Sequence, residues 1–282
     1  MKDIDRNRLL AKIARLNEIG SALSAEEDSR ELLTIILSGA RELTEAEGGT
    51  LYLVEGKELV FCIMQNDQLN LSEQEMLDLS LSAEPIKIRS HAEDHHHDTV
   101  VAHVAHTLKP IHIPNLEAEE RFDLKGTRRF DRVFGYRSCS LLAFPVCDHH
   151  GQLIGVLQLI NRLGTDGRPV PFSDEDIRFV RSLASQTAVV MTKNRLIEEM
   201  QELFRALVRM IALTIDEKSP YTGHHCRRVP DIAMLLAEEV HNTKTGPFAG
   251  TELSAQQRSE LEIAAWLHDC GKLATPEHVV DK

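Results

Sequence analysis

Ser140-Leu141-Leu142-Ala143-Phe144-Pro145-Val146 and Leu153-Ile154-Gly155-Val156-Leu157-Gln158-Leu159-Ile160 are two apolar stretches parted by Asp148-His149-His150-Gly151. Short apolar runs joined by a polar, glycine-ending turn predict a β-hairpin over 140–160. Upstream, the runs 50–54 and 58–64 repeat the pattern around Glu55-Gly56-Lys57, a tight-turn sequence, and 111–113 predicts a further strand before Pro114. Helices frame these strands. Ile4, Leu9, Ile13, Leu16, Ile19 and Leu23 recur at helical spacing, and Leu32, Leu33, Ile36, Leu37, Ala40 and Leu43 predict a second helix over 27–46 that Gly48 and Gly49 stop. A short helix is expected over 99–107, a polar loop over 91–98, and a charged, irregular stretch over 115–135. Ser173 begins a long helix, with Glu175 and Asp176 well placed in its first turn. Strands and helices in this order predict an α+β fold, a sheet flanked by helices.

Composition narrows the class. With 42% hydrophobic and 27% charged residues the chain matches ordinary globular proteins. A formal net charge of −12 argues against a surface built for nucleic acid or anionic membrane, so a phosphate-bearing ligand needs local cations or metal ions. No apolar run reaches the length of a membrane span, and the mixed N-terminus lacks the core of a secretory signal. Cys62, Cys139, Cys147, Cys226 and Cys270 form no Cys-x-x-Cys pair, which fits reduced thiols and a cytoplasmic location.

The helix from Ser173 meets no breaker before Pro220. Val189, Leu196, Leu203 and Met210 lie seven apart, as do Val190, Ile197, Phe204 and Ile211. Apolar heptads of this kind favour a left-handed helical pairing, and a parallel homodimer through this helix is the expectation.

Residues 99–195 resemble a known family. Val101-Ala102-His103-Val104-Ala105-His106-Thr107, Lys109-Pro110-Ile111-His112-Ile113-Pro114-Asn115, Arg121-Phe122-Asp123 and Gly135-Tyr136-Arg137-Ser138 precede the hairpin and Asn161-Arg162 in the order of GAF domains of the phosphodiesterase and cyclase type. The resemblance covers about 26 to 195 and implies a GAF-type antiparallel sheet flanked by helices, with a regulatory small-molecule pocket of unknown ligand. Cyclic-nucleotide-binding members carry an Asn-Lys-Phe-Asp-Glu signature. Asn161, Arg162, Phe172 and Asp176 fit it, but Ile177 stands at the Glu position, which weakens a cyclic-nucleotide assignment. An Arg162–Asp176 ion pair tying strand end to helix start is expected. His95, His96, His97, His103, His106 and His112 are rich in imidazole but lack a companion carboxylate or cysteine at tight spacing, so solvated histidines outweigh a metal or haem site.

A second resemblance begins at 216. Tyr221-Thr222-Gly223-His224-His225-Cys226-Arg227-Arg228-Val229 is similar to the run that supplies the first metal-ligand histidine of HD-GYP domains, and Leu267-His268-Asp269-Cys270-Gly271-Lys272 with Pro276 to the family's doublet region. The resemblance implies His225, His268 and Asp269 as metal ligands, with Asp216 a further candidate, and a hydrolytic pair of divalent ions such as Fe or Mn. Asp269 can bridge two metals where a histidine cannot, and on a helix Lys272 would share its face and stand beside a scissile phosphate. Cys226 and Cys270 are expected to be small packing residues. The implied organisation is an N-terminal helix (1–25), a GAF sensor (26–182), a signalling helix (183–215) and an all-α partial HD segment (216–282). The implied substrate of an intact protein is cyclic di-GMP. Because 282 residues stop short of the family's later ligands, the chain is expected to be a truncated piece and inactive alone; the alternatives are a non-catalytic ligand-binding and dimerisation module with a degenerate HD scaffold, and an HD phosphohydrolase acting on another nucleotide.

Overall fold

The structure, a computed structural model, describes residues 2–26, 28–69, 84–88, 99–218 and 225–275. The 91–98 histidine run and the Tyr-Thr-Gly-His stretch of 221–224 lie outside them. The chain divides into two compact units, Met1–Asn194 and Arg195–Lys282.

The first unit is built on an antiparallel sheet of β1 (Ala46–Glu55), β2 (Glu58–Asn66), β3 (Ile86–Lys87), β4 (Ile111–Ile113), β5 (Leu141–Cys147), β6 (Leu153–Leu163) and β7 (Pro169–Val170). Its order is β3-β2-β1-β6-β5-β4, with β7 beside β6. The hairpin expected at 140–160 pairs Leu142 with Leu159 and Phe144 with Leu157. Because side chains alternate across a strand, each strand feeds two cores. Leu51, Leu142, Phe144, Val146, Leu157 and Leu159 face a layer formed by α1 (Lys2–Ala25), α2 (Ser29–Thr44) and the start of α5 (Asp174–Lys218), which contribute Ile19, Leu23, Ile36, Leu37, Phe179 and Leu183. Leu141, Ala143 and Val156 face the other way, toward α3 (Val100–Thr107), with Val101, Val104, Leu116 and Leu124.

Two local readings are corrected. The glycines at 48 and 49 do not end α2. That helix is capped at Glu45, a left-handed residue at φ 58°, and both glycines lie inside β1. There Gly49 permits a close approach: a Cβ would stand 2.8 Å from Leu37 Cδ1 and 3.0 Å from Leu159 Cδ2. The 115–135 stretch is not irregular throughout. It holds a 3₁₀ turn at Leu116–Ala118 and α4 (Lys125–Phe134). Lys125, Arg128, Arg129 and Arg132 share one face of α4, while Phe130 packs on Phe134 and Tyr136.

The second unit contains the rest of α5, α6 (His225–Asn242), α7 (Ala255–Leu267) and a 3₁₀ turn at Cys270–Ala274. A capping box between Ser254 and Gln257 starts α7. The guanidinium of Arg258 pairs with Glu238, and the Leu253 N–H donates to His241 Nδ1 at 3.1 Å, so the start of α7 is fixed to α6. Its buried side chains are small ones, including Val208, Ala212, Cys226, Ala237 and Ala265, whereas Ile232, Leu235, Leu236 and Phe248 are exposed.

Candidate functional site

The strand end at Asn161-Arg162 organises the first unit. Asn161 holds φ 54°, a region asparagine tolerates better than most residues. That twist lets its carboxamide serve two sides. Oδ1 accepts from the Cys139 N–H (2.7 Å) and the Ser140 N–H (3.3 Å), while Nδ2 donates to Glu47 Oε2 (2.8 Å) and the Arg137 carbonyl (2.8 Å). The Tyr136 hydroxyl donates to Glu47 as well. Burial, together with the Glu47 carboxylate, pushes the Tyr136 phenol well above its ordinary value, so it stays a donor. Residues 136–140 are thereby stitched to β1 and β6. Glu47 went unnoticed in the sequence because a lone Glu in a strand carries no motif; Tyr136 lay within the quoted run.

Next to it stands the expected ion pair. Arg162 Nε is 2.7 Å from Asp176 Oδ2, and Asp176 is 1% exposed. The same carboxylate accepts from the Ser173 N–H (2.8 Å) and hydroxyl (2.7 Å), and the Asp176 N–H donates back to Ser173 Oγ, a capping box at the start of α5. Lys12 of α1 approaches Asp176 Oδ1 at 3.5 Å and lies over the Phe179 ring. One buried carboxylate thus joins strand end, N-terminal helix and output helix. Lys12 carried no sequence signal, since only the fold brings position 12 to position 176.

The histidines do not converge. His103 packs edge-on to Phe122 in the α3-side layer. His112 packs edge-on to Phe172, on the opposite face of the sheet, because its neighbours Ile111 and Ile113 take the α3 side. His106 is exposed. These three cannot share one metal or haem. Burial lowers the His112 pKa against the opposing pull of Asp174 and Asp176. On the α3 side, burial pushes the Tyr52 phenol up to about 12. Burial likewise raises the Cys62, Cys139 and Cys147 thiols, which keeps them protonated and unreactive.

In the second unit His268, Asp269 and Lys272 come together, on the exit of α7 and not on a continuous helix. The helix ends at Leu267, and the 3₁₀ turn stacks positions three apart, which brings Lys272 Nζ to 2.6 Å from Asp269 Oδ2. His268 Nδ1 lies 2.7 Å from the Ala265 carbonyl, which can only accept, so Nδ1 carries the proton in that bond. In the neutral ring Nε2 then presents its lone pair 3.3 Å from Asp269 Oδ2. The Lys272 ammonium on the same carboxylate already places a cation beside that pair, and a ring whose other nitrogen is tied to a carbonyl is how ligating histidines are oriented. One imidazole and one carboxylate fit part of the donor set of an Fe- or Mn-type divalent ion. Among the described residues no group of three or more His, Cys, Asp or Glu comes together. His225 heads α6, but its side chain lies outside the described residues, as does that of Asp216. Cys226 is buried as expected, whereas Cys270 is exposed. A Cβ on Gly271 would meet nothing within 4 Å, so among the described residues that glycine serves no close approach.

A six-strand antiparallel path with the N-terminal helices and the output helix on one face and a short helix on the other is the GAF fold. A GAF domain profile matches residues 28–191, and the chain belongs to the GAF domain family. It is 23% identical to the dual 3',5'-cyclic-AMP and -GMP phosphodiesterase 11 of Drosophila melanogaster, over 91% of this chain and 18% of that protein. It is 25% identical to the cGMP-specific 3',5'-cyclic phosphodiesterase of the same organism, over 73% of this chain and 17% of that protein. The chain therefore spans less than a fifth of these relatives' length. The GAF domain of a phosphoenolpyruvate-protein phosphotransferase from Coxiella burnetii superposes with a TM-score of 0.50 at 15% identity, covering 67% of this chain and 96% of that one. No helix among the described residues is long and apolar enough to cross a membrane.

Proposed function

We propose that this chain is a signal-transduction protein of the bacterial type, in which a GAF small-molecule sensor regulates an HD-type, metal-dependent phosphohydrolase. The observation that carries the second half is the pairing of His268 Nε2 with Asp269 Oδ2 at 3.3 Å, with Nδ1 tied to Ala265 and Lys272 alongside. In this reading His268, Asp269 and His225 would hold divalent metal, which would supply water activation and polarisation of a phosphoryl oxygen. His268 would offer one ring nitrogen fixed by the Ala265 carbonyl, Asp269 a carboxylate, and Lys272 positive charge toward the substrate phosphate. Cyclic di-GMP is the proposed substrate of the intact protein. The likeness to cyclic-nucleotide phosphodiesterases supports phosphodiester cleavage as the output that a GAF domain controls.

The sensor's ligand is proposed to be an organic molecule held on the α3 side of the sheet. The opposed placement of His103 and His112 supports this over haem. A homodimer through α5 is proposed for the output: Val189, Leu196, Leu203 and Met210 are exposed by 67%, 54%, 72% and 63%, an unshielded apolar stripe on one long helix. The cytoplasm is the proposed location, in keeping with five free cysteines.

The test is hydrolysis of cyclic di-GMP with added Mn²⁺ by the full-length protein, with and without His268→Ala. The reading expects Mn²⁺-dependent turnover that the substitution abolishes. Turnover that ignores both Mn²⁺ and His268→Ala would contradict it.

A further inference from the structure

We infer that Arg209 is a positioning residue: it clamps the C-terminal half of α7 onto the output helix, and so sets where His268 and Asp269 stand. The inference rests on the reading of that pair as a metal dyad. The start of α7 is anchored to α6 through Arg258–Glu238 and Leu253–His241. Those bonds act at the start of the helix, and the dyad follows directly from its other end. Arg209 of α5 meets it there twice. Its Nη2 lies 3.1 Å from Glu262 Oε1, and its Cζ lies 5.7 Å from the centroid of the Trp266 ring. One turn earlier on α5, Arg205 donates to Ser259 Oγ at 3.4 Å. Residues 205 and 209 of α5 therefore engage 259, 262 and 266 of α7, spacings that fix its register as well as its distance.

The chemistry suits arginine in particular. A planar guanidinium pairs with a carboxylate through its edge and covers an aromatic ring with its face, which an ammonium cannot do together. The Trp266 Nε1–H is buried without a hydrogen-bond partner among the described residues, so packing and the guanidinium hold the ring. An exposed ion pair alone would contribute little; the combination with the ring gives the contact direction. Trp266 is two residues before His268, and the Ala265 carbonyl that orients His268 lies between Arg209's two contacts, Glu262 and Trp266. A shift of Trp266 is therefore a shift of the histidine's anchor.

The chain's single tryptophan is the reporter. In residues 1–282, Arg209→Met should raise acrylamide quenching of Trp266 by about twofold and move the His268 ring resonance in the NMR spectrum, with Arg209→Lys in between because it keeps the charge but loses the stacking. Hydrogen-exchange protection of the GAF sheet should be unchanged in both, which separates a local release from unfolding. In the full-length protein, Arg209→Met should weaken Mn²⁺ binding about tenfold, as loss of ligand orientation does. Quenching and ring resonance identical to wild type in Arg209→Met would overturn the clamp. A Trp266 response joined to Mn²⁺ binding that ignores Asp269→Ala would overturn the dyad reading instead, and would reduce Arg209 to a packing contact.

Discussion

At Asn161, one side chain satisfies two backbone N–H groups on one strand segment and a buried carboxylate on another. Asn161→Ala removes those bonds, leaves Glu47 short of a donor and places a Cβ-bearing residue without a compensating amide at positive φ. The expected loss is about 2–4 kcal/mol of stability, measurable by denaturant unfolding. Asn161→Gly should be less damaging by about 1 kcal/mol, since glycine accepts that φ. Equal stability of both variants and wild type would contradict the role given to the network. His112 gives a pH signature. Burial lowers its pKa in the folded chain, so the folded state resists a proton that the unfolded state accepts. The stability this contributes is fully present above the unfolded value of about 6.5 and is lost as pH falls below it toward the lowered folded value. Thermal melts between pH 7 and pH 5 should show a falling midpoint, and His112→Phe should flatten that slope. An unchanged slope in the variant would assign the acid sensitivity elsewhere.

Among the elements, the long helix α5 was legible from its heptads and from the lack of a breaker before Pro220, and it runs from Asp174 to Lys218. Helix α4 was not legible. Its sequence Lys-Gly-Thr-Arg-Arg-Phe-Asp-Arg-Val-Phe has a glycine near the start and no side-chain cap, so local signals favour a loop; packing of Phe130 and Phe134 decides for helix. The α2 stop was misread for a related reason. Paired glycines suggest a break, yet both lie in β1, where Gly48 is crowded by the Asn66 side chain and Gly49 by Leu37 and Leu159, which only the assembled layers reveal. The exposed stripe on α5 leads to an oligomeric-state prediction. Light scattering at micromolar concentration should give about twice the chain mass of 31.7 kDa. Leu203→Glu, which places a charge in the middle of the stripe, should shift the species toward monomer by at least tenfold in dissociation constant, roughly the effect of burying an unpaired charge. A monomer in both variant and wild type would remove the dimer from the account.

For the whole molecule, the sequence exposed most where chemistry forces residue types into a fixed order. The hairpin, Asn161-Arg162 with Asp176, and His268-Asp269 with Lys272 were all readable, and the structure brings the members of each group together. What could not be read was the company that tertiary packing supplies: Glu47 beneath Asn161, Lys12 on Asp176, Arg209 on Trp266. Each joins positions far apart in sequence, and no local spacing announces it. His103 and His112 show the converse, since they are close in sequence and parted by the sheet. The central claim is that His268 and Asp269 are the metal dyad of a phosphohydrolase governed by a GAF domain. It is tested most directly by cyclic di-GMP hydrolysis and metal content of the full-length protein with and without Asp269→Ala. The account predicts that the variant loses bound metal and activity together, by more than about a hundredfold, because Asp269 would be the carboxylate that holds the metal. Full activity with an unchanged metal content would contradict it.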